Sequence, residues 1–96
     1  MRNIYFGEFR EIVIGHIRSI ESGQPEFQST EWFLLRYLTR IKKNANPPST
    51  PGRVENSMRA LIRFYVDQVD EHSELGEICR QINAEYRRAL RREQSE

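Results

Sequence analysis

The chain has 96 residues, of which 38% are hydrophobic and 30% charged, with ten aromatic residues. That length carries one domain, and the aromatic content sets it apart from charge-rich disordered chains. Fifteen Lys and Arg against fourteen Asp and Glu leave a formal net charge of +1, which argues against a surface built as a whole for nucleic acid or an anionic membrane.

The first predicted helix runs from about Asn3 to about Glu21. At about 100° per residue, Tyr5, Phe6, Phe9, Ile12, Val13, Ile17 and Ile20 fall on one face, with Glu8, Glu11 and Arg18 opposite. Gly7 and Gly15 each weaken this helix by about 1 kcal/mol relative to alanine. The run Ile12-Val13-Ile14 also suits a strand, so a short N-terminal strand is the competing assignment. Gly23 and Pro25 then stop the helix and open a loop over residues 22–28.

Ser29 or Thr30 caps the second predicted helix, with Glu31 in a first turn that favours acids. This helix reaches about Asn44, with Leu34, Tyr37, Leu38 and Ile41 inward. Arg40, Lys42 and Lys43 close it, where cations are stabilising. The Pro-rich break at 45–51 holds Pro47-Pro48, expected as a stiff extended spacer, and Thr50-Pro51, expected as cap and first helical residue. The third helix is expected over about 51–71, with Val54, Met58, Leu61, Ile62, Tyr65 and Val69 inward. Ser73 caps the fourth, over about 73–93, which turns Leu75, Ile78, Cys79, Ile82, Tyr86, Ala89 and Leu90 inward. Residues 93–96 are expected to fray.

Four amphipathic stripes on short connections predict an all-α fold: a small antiparallel bundle of four helices in one domain, 1–96. Two αα-hairpins docked in a dimer satisfy the same pattern. The longest apolar run, Trp32-Phe33-Leu34-Leu35, is far short of the roughly 20 residues of a membrane span. The single cysteine, Cys79, forms no internal disulfide and points to a reducing compartment. No targeting segment is apparent, so the expected location is the cytoplasm.

Catalytic signals are sparse. Cys79 lies in the apolar stripe of the fourth helix and reads as core packing rather than as a nucleophile. His16 lies on an apolar face, where burial would lower its pKa. No spacing suits zinc, no glycine-rich phosphate loop is present, and the acidic group Asp67, Asp70, Glu71, Glu74 and Glu77 lacks the pattern of a calcium loop. No metal, cofactor or small-molecule substrate is expected, and the chain is not expected to be an enzyme.

Two binding surfaces remain. Ile4, Ile14, Trp32, Phe33 and Phe64 do not fit the inward stripes. Trp and Phe beside Arg match the composition of protein-binding hot spots. The expected partner site is therefore Trp32, Phe33, Arg36, Arg40, Phe64 and Ile14, rimmed by Arg59 and Arg63. Its occupant is a protein partner or a second copy in a homodimer. Gly7 and Gly15, away from the core stripe, leave room for a close helix approach. The alternative is nucleic acid held by Arg36, Arg40 and Lys43 on the second helix and by Arg80, Arg87, Arg88, Arg91 and Arg92 on the fourth.

Overall fold

Two serine hydroxyls decide where helices begin. Ser29 Oγ accepts from the Trp32 amide at 3.2 Å. Ser73 Oγ accepts from the Gly76 amide at 3.1 Å and donates to the Asp70 carbonyl at 2.6 Å. The computed structural model describes residues 6–46 and 51–94. Its elements are α1 (Gly7–Ser22), α2 (Thr30–Asn44), α3 (Pro51–Gln68) and α4 (Glu74–Gln94), and no strand occurs among the described residues. The expected start at Asn3, Ile4 and Tyr5, the Pro47-Pro48 spacer, the Thr50 cap and the last two residues lie outside the described residues, as does the side chain of Arg92.

Polar contacts between neighbouring helices join an early residue to a late one. Arg10 Nε donates to the Lys42 carbonyl at 3.2 Å, which gives one of the last carbonyls of α2 a partner. Asn44 Nδ2 donates to Ser57 Oγ, whose own proton goes to the Arg53 carbonyl at 3.0 Å. Arg80 Nη1 donates to the Tyr65 hydroxyl at 3.2 Å. The Phe6 and Phe9 rings lie 6.2 and 5.8 Å from Tyr86. Neighbours are therefore antiparallel. α1 and α3 each pack on both α2 and α4, which closes an up-down-up-down bundle of 41 × 21 × 18 Å.

The core draws on all four stripes. Phe6, Phe9, Val13, Ile17 and Ile20 come from the α1 side; Leu34, Leu38, Ile41 and Ala45 from the α2 side; Val54, Met58, Leu61 and Phe64 from α3; Cys79 and Ile82 from α4. Leu75, Ile78, Tyr86, Ala89 and Leu90 pack against it, half-buried. Phe6 stands at the N-cap of α1 without a side-chain cap bond, its ring fully buried. Gly23 ends α1 in a right-handed conformation (φ −82°), and the left-handed residue is its neighbour Gln24 (φ 49°).

α3 is rotated from the stripe that its aliphatic residues suggest. Phe64, expected on the outside, is buried at 6% exposure, and Ile62, expected inside, is 40% exposed. Two contacts turn the helix toward α2: the Phe64 ring stands 4.8 Å from the Tyr37 ring, and the buried Ser57 hydroxyl meets Asn44. A serine inside an apolar face is invisible to hydropathy, so the pattern alone misplaces the face. α3 also stops at Gln68 instead of continuing to Glu71. The Asp70 carboxylate accepts from the His72 amide at 2.9 Å and the Asp70 carbonyl from the Ser73 amide at 3.0 Å, a local turn that competes with the helix.

Gly76 is buried. A Cβ there would stand 2.6 Å from the Asp70 carbonyl oxygen and 2.9 Å from that of Glu71. The α3–α4 turn folds so tightly onto the start of α4 that only glycine fits. At Gly15, by contrast, a Cβ would meet nothing within 4 Å. The close helix approach expected there is not made by any described part of the chain.

Candidate functional site

The outward face of α2 gathers the chain's only tryptophan with exposed cations. Leu34, Leu38 and Ile41 point into the core, so helical spacing turns Trp32, Arg36, Thr39, Arg40 and Lys43 away from it. The Ser29 cap fixes the first turn of this face. Phe27 lies two residues before that cap, 74% exposed, and its ring meets Trp32 edge-on at 4.9 Å. Trp32 meets Phe33 edge-on at 5.0 Å. Such edge-to-face pairs suit the aromatic quadrupole. The Arg36 guanidinium carbon stands 5.0 Å from the centre of the Trp32 ring, and that of Arg40 stands 6.0 Å from the Tyr37 ring. Both are cation–π arrangements.

Among the described residues none of these cations is in an ion pair, and Asp67 of α3 lines a cleft with Arg40. From Trp32 to Asn46 the sequence holds Arg36, Arg40, Lys42 and Lys43 and neither Asp nor Glu. Among the described residues the ion pairs lie elsewhere: Arg59 with Glu55 at 2.9 Å, Arg80 with Glu77 at 2.8 Å, Arg88 with Glu85 at 3.2 Å, and His72 with Glu71 at 3.5 Å.

A recess of about 620 Å³ runs along this face, and every described residue lining it, from Phe33 to Lys43, belongs to α2. One helix is convex, so this is an open face and not an enclosed pocket. Beside it, a cleft of about 220 Å³ between α2 and α3 is lined by Tyr37, Ala60, Phe64, Asp67 and Gln68, with Arg40 on one bank and Arg63 on the other. The two recesses share Tyr37 and Arg40. Together they form a shallow surface that can take a docked chain segment; neither encloses a small molecule.

The structure brings together Trp32, Phe33, Arg36 and Arg40 from the expected partner site. Trp32 is half-buried, and Phe33 is half-buried against the core. Phe64 is corrected: its ring is core and supports the cleft from beneath. Ile14 is half-buried on α1 and lies outside the aromatic cluster. Phe27 was not foreseen as a member. Its signal in the sequence is an apolar residue just ahead of a capping serine, which resembles a hydrophobic staple displaced by one position. Ile62 and Val66 are exposed one turn apart on α3, at 40% and 72%, without aromatic company.

The arginines expected on α4 for nucleic acid have different surroundings. Arg80 is committed to the bundle: it donates to the Tyr65 hydroxyl, the Glu71 carbonyl and, at 2.8 Å, Glu77 Oε2. Its pairing with Arg80 holds the Glu77 carboxyl below its usual pKa. Arg87, Arg88 and Arg91 are exposed toward the other end of the helix, with Arg88 paired to Glu85.

The groups with catalytic chemistry lie apart from this face. Cys79 is buried, and burial pushes its thiol up to about 11. At neutral pH it is a protonated core group. We predict that a thiol reagent such as Ellman's reagent leaves the folded chain unmodified at neutral pH and titrates one thiol once denaturant is added; fast reaction of the native protein would contradict that placement. His16 is half-buried on α1, and desolvation lowers its pKa. No group of three or more His, Cys, Asp or Glu among the described residues is placed to hold a metal ion. No described helix is long and apolar enough to cross a membrane. Comparison of the chain with protein-family models, curated proteins and solved structures finds no match.

Proposed function

We propose that this protein is a small non-enzymatic interaction module of the cytoplasm, acting as an adaptor, regulator or inhibitor by presenting the outward face of α2 to a protein partner. The observation that carries this role is the Phe27–Trp32–Phe33 cluster with Arg36 over the indole. Aromatic anchors beside arginine are what interface hot spots are made of. A rigid helix capped by Ser29 holds the anchors in place before binding, which reduces the ordering cost of association.

Trp32→Ala tests this role. Light scattering of the purified chain, with any co-purifying protein identified, defines the complex. The variant is expected to weaken that complex by about tenfold or more, the loss typical of a hot spot, and to keep the full helical circular dichroism signal. Loss of that signal would place Trp32 among the residues that hold the bundle together and end the proposal.

A further inference from the structure

The three outward cations of α2, Arg36, Arg40 and Lys43, favour an occupant that brings negative charge. A second copy docked face to face by two-fold symmetry would set these three against the same three residues, since an isologous interface pairs a patch with itself. The segment from Trp32 to Asn46 supplies no acid to offset them, and like charges brought together disfavour a partner strongly. A nucleic acid offers the right charge but needs an open ring face on which a base can stack. Trp32 is edged by Phe27 and Phe33 and covered by Arg36, and the Tyr37 ring lies against Phe64 beneath Arg40. What the cluster still offers is the apolar Phe27 ring, 74% exposed, which suits aliphatic and aromatic side chains. The adjoining α2–α3 cleft places apolar Tyr37, Ala60 and Phe64 beside Arg40, with Asp67 one turn from Arg63 on its α3 bank.

We infer that the partner presents an acidic amphipathic segment, with carboxylates on Arg36 and Arg40 and apolar side chains against Phe27, Trp32 and Phe33. This inference rests on the interaction role proposed above. The face from Trp32 to Lys43 is about 16 Å long at the helical rise, so a segment of three to four helical turns covers it. Arginine forks meet carboxylates in pairs of hydrogen bonds, which gives such a segment its register.

The only tryptophan of the chain lies in the site, so its emission reports binding directly. A display library of random peptides of about 15 residues is selected against the intact chain, and the selected peptides are titrated against Trp32 emission. Selected sequences are expected to be rich in Asp and Glu with large apolar residues at helical spacing. Arg36→Glu with Arg40→Glu is expected to weaken them by about tenfold or more, and exchanging the peptide's acids for lysine is expected to restore binding to that double variant. Circular dichroism of the variant confirms that it is folded. Selected peptides without an acidic excess overturn the inference and leave the interaction role standing. Failure to select any peptide whose binding depends on Trp32 overturns both. A solution mass that rises with concentration and falls in the double variant gives the face to a second copy. A shift of Trp32 emission by single-stranded DNA, with none by acidic peptides, gives it to nucleic acid. Either of these last two results overturns the inference.

Discussion

Phe6→Ala is expected to lower the free energy of unfolding by about 3–5 kcal/mol, the usual cost of emptying a phenylalanine site in a core. The Phe6 ring is fully buried. It meets Phe9 edge-on at 6.0 Å and lies stacked on Tyr86 at 6.2 Å, so it ties the beginning of α1 to the second half of α4. Domains of this kind have about 5–15 kcal/mol in all, and each kcal/mol moves Tm by about 4–8 °C at this size. Thermal and urea denaturation followed by circular dichroism measure the loss. Phe27→Ala removes the same ring from a 74% exposed position and should stay within about 0.5 kcal/mol of the parent. Equal losses in the two variants would mean that the rings are not divided between core and surface as described.

Gly76→Ala is expected to cost about 1–3 kcal/mol, the range for forcing extra volume into a packed site. The added methyl meets two carbonyl oxygens of the α3–α4 turn at under 3.0 Å. These atoms are backbone, so relief requires moving the turn that the Ser73 hydroxyl pins to Asp70 and to the Gly76 amide. The same substitution at Gly15 meets open space and should stabilise by up to about 1 kcal/mol, since alanine suits a helix interior better than glycine. Chemical denaturation of both variants compares them directly. Destabilisation by Gly15→Ala together with stabilisation by Gly76→Ala would reverse the placement of the two residues.

The all-α fold and its four elements are legible in the sequence because each helix carries both a periodic apolar stripe and a punctuating residue. Ser29 and Ser73 act as caps just where their spacing from the apolar residues suggests, and Cys79 lies in the core as its neighbours Ile78 and Ile82 imply. What hydropathy does not reveal is a face decided by polar or aromatic pairing. The rotation of α3 follows from a Ser57–Asn44 hydrogen bond and a Tyr37–Phe64 ring contact, which join residues far apart in sequence. At the candidate site, Trp32, Phe33, Arg36 and Arg40 share one helix, so periodicity alone groups them. Phe27 precedes the cap and has no period to betray it. Arg80 looks free on a helical wheel because a wheel shows neither the Tyr65 hydroxyl nor the Glu71 carbonyl that come to it across the turn.

The up-down order of the helices also sorts charge along the long axis. The connection after α1 and the connection after α3 share one end, where residues of both line a single hollow. Glu21, Glu26, Glu31, Asp67, Asp70, Glu71, Glu74 and Glu77 gather toward that end with only Arg18, Arg63 and Arg80 among them, whereas Arg10, Arg40, Lys42, Lys43, Arg53, Arg59, Arg87, Arg88 and Arg91 lie toward the other with Glu8, Glu11, Glu55 and Glu85. A molecule with a formal net charge of only +1 thus carries an excess of acid toward one end of its long axis and an excess of base toward the other. Neighbouring molecules in dilute buffer attract end to end even though each is almost neutral, and the attraction fades once the screening length falls to about 8 Å at physiological ionic strength. The protein should therefore salt in, dissolving better in moderate salt than in water near its isoelectric point.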